Sequence, residues 1–265
     1  RAQILLAMGD RARAISLLEQ IHEAAPGNPA VAGLLAESLH AEGATDRARR
    51  VLNGIRALTP DDPGLRYTAA RFDFAAGKLD SARETALALR EELPGSGMVH
   101  ALLGDITGAA GDWARAAEHF RRAFDINPDP AVAIKLHAAL LRAGNGSEAS
   151  GMVDRLLADN PDDVTALLLK AGQHEREGQT SEAISTYKAL LEVQPNNVVA
   201  LNNLAWQMRT DDLAAALDLA GKAFEMAPAN VQVADTYGWL LVRSGQAQQG
   251  LSIIRDAVDA GPANP

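Results

Sequence analysis

Apolar residues recur along this chain at helical spacing in short blocks, and the blocks come in pairs. Within residues 26–60, Leu34, Leu35, Ala36 and Leu39 mark one face of a first helix. Ala48, Val51, Leu52 and Ile55 mark one face of a second, running from about Asp46 to Leu58. Asn28 is placed to cap the first helix and Pro29 falls at its first position, where a missing N–H costs nothing. Gly43 breaks that helix and Pro60 ends the second. The pattern predicts a hairpin of two antiparallel helices.

The hairpin recurs. Pro26, Pro60, Pro94, Pro128, Pro161, Pro195, Pro228 and Pro262 are spaced by 34, 34, 34, 33, 34, 33 and 34 residues. Gly9, Gly43, Gly77, Gly111, Gly144, Gly178 and Gly245 fall at the internal turns. A small residue lies 12 positions before each marker proline, from Ala14 and Ala48 to Gly250, and another ten after, from Ala36 and Ala70 through Ala138 to Gly238. Small side chains there would let the paired helices approach closely. Leu18, Leu52, Phe120, Val153, Tyr187 and Ile254, four positions beyond the second-helix small residue, would wedge between neighbouring repeats. In the two 33-residue intervals the small-to-small distance falls from 12 to 11 (Ala138 to Ala149, Ala205 to Ala216). That places the shortening in the internal turns, at about Gly144–Gly146 and Asp211–Asp212. A partial repeat at 1–26 is then followed by full repeats at about 27–60, 61–94, 95–128, 129–161, 162–195, 196–228 and 229–262.

Period, turn glycine, paired small residues and closing proline together resemble the tetratricopeptide (TPR) repeat family over residues 1–265. The resemblance implies an all-α fold, a single right-handed α-solenoid, with the first helix of each pair lining a concave groove. Neither end looks polar enough to cap such a stack, so the chain is expected to be a fragment of a longer one. Projecting the repeat places Glu37, His40, Tyr67, Arg71, Phe74 and Asp105 in the N-terminal part of the groove and Lys135, Arg142 and Glu175 in the middle. Asn202, Asn203, Trp206, Arg209, Asp235 and Trp239 fall in the C-terminal part. Trp206 and Trp239 are equivalent, each 11 residues after a marker proline. With Asn202 and Arg209 beside them they match the aromatic and arginine bias of interface hot spots; the competing reading is that they only fill space. Trp113 is expected to pack. Lys135 lacks the Lys, Asn and Arg companions that the carboxylate clamp of chaperone-binding members needs.

Composition narrows the function. The chain has 265 residues, of which 47% are apolar and 22% charged, and a net charge of -9. Residues 1–60 carry seven basic and six acidic side chains, so the excess acid lies beyond them. The absence of any basic run argues against a nucleic-acid partner. There is no cysteine, hence no disulfide or thiolate metal site. No stretch is apolar enough for a transmembrane segment.

His22, His40, His100, His119, His137 and His174 are scattered, with no pair at i, i+4, and read as surface or packing residues. Gly144-Asn145-Gly146-Ser147 is a repeat turn rather than a phosphate loop. Asp61-Asp62 and Asp162-Asp163 read as helix caps. No catalytic residue, cofactor or metal is expected.

The C-terminal stretch, with LNNLAW and D-T-x-G-W-x-L-V-x-x-G, resembles the end of the TPR lipoproteins of bacterial PEP-CTERM/exosortase systems (the PrsT type). That resemblance implies a protein of the bacterial cell envelope, facing the periplasm, in the setting of exopolysaccharide production and protein sorting, with an outer-membrane lipid anchor. The expected function is a non-enzymatic scaffold that takes a protein or peptide partner in the groove. Two alternatives stay open: a TPR targeting arm of an enzyme such as a glycosyltransferase, and a module that binds polysaccharide directly.

Overall fold

The computed structural model describes residues 1–259, so Pro262 lies outside the described residues. The described chain is all-helical, with sixteen helices and no strand. It forms two compact units, Arg1–Ala143 and a second beginning at Gly144. The first unit holds α1 (Ala2–Ala7), α2 (Arg11–Ala24), α3 (Pro29–Ala41), α4 (Thr45–Leu58), α5 (Pro63–Ala75), α6 (Leu79–Glu92), α7 (Gly97–Ala109), α8 (Trp113–Ile126) and α9 (Pro130–Arg142). The second holds α10 (Gly146–Asp159), α11 (Val164–Arg176), α12 (Thr180–Val193), α13 (Val198–Met208), α14 (Leu213–Met226), α15 (Val231–Arg243) and α16 (Ala247–Asp259). Within each unit, helices adjacent in sequence pack on one another, and α3 on α5 and α13 on α15 also touch.

Local chemistry accounts for the helix limits. Each first helix from α3 to α15 starts on an Asn, Asp or Ser whose side chain accepts a backbone N–H of the first turn: Asn28, Asp62, Ser96, Asp129, Asp163, Asn197 and Asn230. In the two Asp pairs it is Asp62 and Asp163 that cap; Asp61 and Asp162 do not. Second helices are started less uniformly. Asp10, Asp112 and Asp212 cap α2, α8 and α14. The helices without a capping side chain, α4, α6, α10 and α12, carry Asp46, Asp80, Glu148 and Glu182 in their first turn instead. A carboxylate there opposes the helix dipole in place of the cap. All seven turn glycines have φ between 71° and 91°, the left-handed region that lets a helix reverse within three residues.

The core lies where the small residues meet. Ala36, Ala48, Ala82, Ala116, Ala171, Ala183, Ala205 and Ala216 are buried. Where glycine replaces alanine the fit is tighter still. A Cβ on Gly104 would lie 2.6 Å from the Phe120 ring, and one on Gly238 would lie 2.5 Å from Ile254 Cγ1 and 2.8 Å from the Gly250 carbonyl. The large residues at the Phe120 position therefore fill the inside of their own hairpin. They also reach the next one: Lys135 lies 5.8 Å over the Phe120 ring, and the Tyr187 hydroxyl accepts from Asn203 Nδ2 at 3.0 Å.

One of the two shortened intervals is not where counting placed it. α9 begins two residues after Pro128, whereas α3, α5, α7, α11, α13 and α15 begin three residues after their marker prolines. The lost residue belongs to the loop Asn127-Pro128-Asp129, and the turn at Gly144 keeps the ordinary length, with φ 81°. Asp129 closes the tighter loop by accepting from the N–H groups of both Ala131 and Val132. The small-residue position of α9 is consequently held by buried His137, while Ala138 is exposed. The second shortening is where it was expected. α13 is two residues shorter than the other first helices from α3 onward, and its turn runs without glycine through Arg209 in the right-handed region, with the Asp211 and Asp212 N–H groups both donating to the Met208 carbonyl.

Two predictions follow from this packing. Gly238→Ala should destabilise the chain by about 1–3 kcal/mol, because a methyl would push against backbone as well as a side chain. Gly151→Ala, in α10, meets only the end of Arg155 at 3.8 Å and should stabilise by about 0.5–1 kcal/mol. Urea denaturation of both variants checks the pair; equal effects would remove the close-approach account.

His100 and His119, on α7 and α8, have ring centroids 6.1 Å apart. Burial lowers the pKa of each from 6.5; Arg90 acts in the same direction on both, as do Arg122 on His100 and Arg115 on His119, and Glu118 opposes it for His119. The unfolded chain therefore takes up protons first, so stability holds above pH 6.5 and declines as the pH falls from there toward the lower folded values. A His100→Gln/His119→Gln variant should show a flatter pH dependence in thermal melts between pH 7 and pH 5.5 if these groups are responsible.

Candidate partner-binding surfaces

In the first unit, α3, α5, α7 and α9 bring several of the expected groove residues together. A cleft of about 400 Å3 is lined by His40, Tyr67, Arg71, Phe74, Asp105 and Lys135, with Phe72 among the further residues at its wall. Phe72 was not anticipated; it lies beneath the tilted ring of His40 at 4.5 Å. Its charges are matched in pairs. Arg71 Nη1 donates to Glu37 at 2.6 Å, and Lys135 Nζ donates to both carboxylate oxygens of Asp105 at 2.8 Å. Both pairs link one first helix to the next. Exposed as they are, each contributes about 0–1 kcal/mol and sets register more than stability. Burial raises the Tyr67 hydroxyl pKa, with Glu37 and Asp105 adding to the rise and Arg71 opposing it, so Tyr67 offers a neutral hydroxyl beside two ion pairs. Arg142 is not part of this cleft: its guanidinium lies 4.3 Å over the Trp113 ring. Trp113 itself packs where a Cβ on Gly108 would sit, 2.9 Å from the ring, in agreement with a structural role.

The second unit is built differently. Trp206 on α13 and Trp239 on α15 meet with ring centroids 5.3 Å apart and planes at 59°, near the edge-to-face arrangement that aromatic quadrupoles favour. Trp206 is 39% exposed, and Trp239 is partly buried. Each ring carries a guanidinium. Arg209 lies 4.3 Å over Trp206 and Arg243 5.2 Å over Trp239, and Arg209 Nη1 also donates to the Trp206 carbonyl. Cation–π contacts of this kind contribute about 0.5–1 kcal/mol where solvent reaches them. Asp235, one turn before Trp239, is exposed.

Beneath the tryptophans runs a polar chain. Asn202 Nδ2 donates to Asn203 Oδ1 at 3.2 Å, and Asn203 in turn donates to Tyr187. Burial drives the Tyr187 pKa far up, Asn203 opposes this, and the nearby Glu175 carboxylate raises it further, so the hydroxyl stays protonated beside Glu175. Gln207 Nε2 donates to Glu175 at 2.8 Å, tying α13 to α11. Asn203 thus ties α13 to α12, while Asn202 bonds only to Asn203 on its own helix. No side chain from α11 or α12 could be assigned to this chain from spacing alone, because its members lie 16 and 32 residues apart. Among the described residues no group of three or more His, Asp or Glu side chains is arranged to hold a metal ion.

A family model described as tetratricopeptide repeat matches residues 5–63, 39–106 and 109–172. A TPR repeat-containing protein of Pseudomonas aeruginosa, PA4667, is 25% identical over 188 residues, which is 68% of this chain and 32% of that protein. The chain thus spans about a third of the length of this relative. Yeast Tom70 has a similar structure, with a TM-score of 0.77 at 13% identity, covering 95% of this chain and 55% of that one. A tetratricopeptide repeat protein of Parabacteroides merdae aligns with a TM-score of 0.64 at 14% identity, over 93% and 94% of the two chains. The Cut9–Hcn1 hetero-tetramer of the APC/C aligns with a TM-score of 0.59 at 15% identity, over 96% and 50%. At these identities the solved structures speak to the fold alone. The family model covers more than half of the sequence, and its paired helices, turn glycines and packed small residues are those just described: the chain belongs to the tetratricopeptide repeat family.

Proposed function

We propose that this chain is a non-catalytic scaffold that holds a protein partner on the exposed face of its first helices, with the principal site at Trp206 and Trp239. Tetratricopeptide repeats point to protein interaction as the general role. The observation that carries the specific site is the aromatic pair itself: two tryptophans on adjacent first helices, one of them 39% exposed, each under an arginine. Tryptophan and arginine dominate interface hot spots, tryptophan because its rigid ring buries a large area and arginine because its planar fork makes several hydrogen bonds at once. The cleft of Tyr67, Arg71, Phe74 and Lys135 is a second, more polar surface in the first unit, and Arg142 flanks that unit at the end of α9. Direct stacking of a sugar on Trp206 or Trp239 is the weaker reading, since a guanidinium already lies over each ring.

The cellular setting follows from the resemblance of the C-terminal stretch to TPR lipoproteins of PEP-CTERM systems: a periplasm-facing envelope assembly concerned with exopolysaccharide or protein sorting. No described helix is long and apolar enough to cross a membrane.

Affinity capture from an envelope fraction of the source organism, with the unmodified chain and the Trp206→Ala/Trp239→Ala variant side by side, tests both parts. A partner held by the unmodified chain should be lost from the variant, at a cost of about 2 kcal/mol or more, with the circular dichroism unchanged. Equal capture by the two would remove the site. Capture from a cytoplasmic fraction alone would remove the setting.

A further inference from the structure

Resting on the scaffold reading just given, we infer that the partner segment taken by the second unit is acidic: an extended peptide whose carboxylates meet Arg176, Arg209 and Arg243 while its apolar side chains rest on Trp206 and Trp239. The three arginines stand at or just beyond the C-terminal ends of α11, α13 and α15; Arg176 and Arg243 occupy the same place in their repeats, 15 residues after the marker proline, and Arg209 lies 14 after its own. α11 and α13 are tied together beside them by the Glu175–Gln207 hydrogen bond, and α13 and α15 by the tryptophan pair. The cations therefore sit on neighbouring elements of one unit.

None of the three makes an ion pair among the described residues. This separates them from Arg66, Arg71 and Lys135 of the first unit, which are bound to Glu92, Glu37 and Asp105; Arg142, at the end of α9, resembles Arg209 and Arg243 in stacking on a ring, that of Trp113. It is not for want of acid: residues 144–265 hold 16 acidic and 8 basic side chains. The acids close to the arginines are engaged elsewhere. Glu175 accepts from Gln207, Glu177 from Gln173, Asp211 from Thr210, and Asp212 from the Ala215 N–H. Asp235, one turn before Trp239, is exposed with no hydrogen bond or ion pair among the described residues, and an acidic segment would have to pass it.

Helix C-termini favour cations through the helix dipole, which accounts for arginine here, but not for three guanidiniums left without a carboxylate. A guanidinium offers five N–H donors in a fork that matches a carboxylate, and stacking on an aromatic face leaves those donors free along its edge. The tryptophans therefore hold Arg209 and Arg243 in place; Arg209 spends one donor on the Trp206 carbonyl and keeps others for a carboxylate. Packed helices lie roughly 8–10 Å apart, and an extended chain covers that distance in about three residues at ~3.3 Å each. A segment crossing the first helices would thus present a carboxylate at every third residue, with apolar residues between.

The test uses fluorescein-labelled peptides on the full chain, read by anisotropy: Glu-Ala-Phe-Glu-Ala-Phe-Glu and its counterpart with every Glu replaced by Gln. The acidic peptide should bind saturably and weaken steeply as salt rises from about 50 to 500 mM. Arg209→Gln/Arg243→Gln should reduce its affinity about tenfold or more, and Arg176→Gln, whose side chain contacts neither ring, about two- to fivefold. Those results support the inference. Equal binding of the Gln peptide, unaltered affinity in the arginine variants, or no binding of the acidic peptide up to about 1 mM, weaker than which no specific site is meaningful, each overturn it. Tighter binding of a galacturonate tetramer than of the acidic peptide also overturns it, by assigning the arginines to an anionic saccharide. Failure here is distinct from failure of the scaffold reading, which falls only if partner capture is indifferent to Trp206→Ala/Trp239→Ala.

Discussion

Two helices can lie closely antiparallel only where neither carries more than a methyl group at the crossing, and the rest of this molecule is arranged around that requirement. Ala36 and Ala48, Ala171 and Ala183, and Ala205 and Ala216 are all buried on helices that pack on one another in pairs. At α15 and α16 both places are glycine, and the carbonyl of Gly250 lies where a Cβ on Gly238 would come within 2.8 Å. Close approach sets the hairpin angle. That angle sends the bulky residue one turn on, Phe120 or Tyr187, both inward over its own hairpin and outward to the next. A hairpin this thin cannot bury its own faces, so each becomes stable only against a neighbour.

With the backs of the helices committed to packing, only one face of each first helix is left to vary, and at the position of Glu37, Arg71 and Asp105 the two units have used it in opposite ways. In the first, acidic and basic side chains on successive helices satisfy one another, as in Glu37 with Arg71 and Asp105 with Lys135. In the second, the position held by Glu37, Arg71 and Asp105 is taken by Trp206 and Trp239, and the nearby arginines stack on rings instead of pairing with acids. A surface that has neutralised itself has little electrostatic reason to hold a partner. One that leaves an aromatic ring and arginines without ion pairs does, and this difference is why the proposed site is set at α13 and α15.

Much of the fold could be read directly, because a 34-residue period repeats the same chemistry many times and errors at one repeat are corrected by the others. The failure at α9 is instructive for the same reason. Counting from Pro128 put Ala138 at the helix crossing, but the residue was lost from the loop after that proline, and a shift of one residue turns a helix face by roughly 100°. The equivalent position of α9 is therefore His137, which is buried, and Ala138 is exposed. The second shortened interval lacked a turn glycine, which marked its position independently, and there the reading held.

The sequence by itself determined the class of fold, the caps and turns of nearly every hairpin, and the equivalence of Trp206 with Trp239, since all of these depend on short-range spacing along one chain. Tertiary structure decided which of those residues face each other. The meeting of Trp206 with Trp239, the removal of Arg142 to Trp113, and the line from Glu175 through Tyr187 to Asn203 join side chains from different helices. Such contacts depend on rotamers and on helix phase, quantities that a repeat period constrains only to within a residue, and a single residue is enough to exchange a packed face for a binding one.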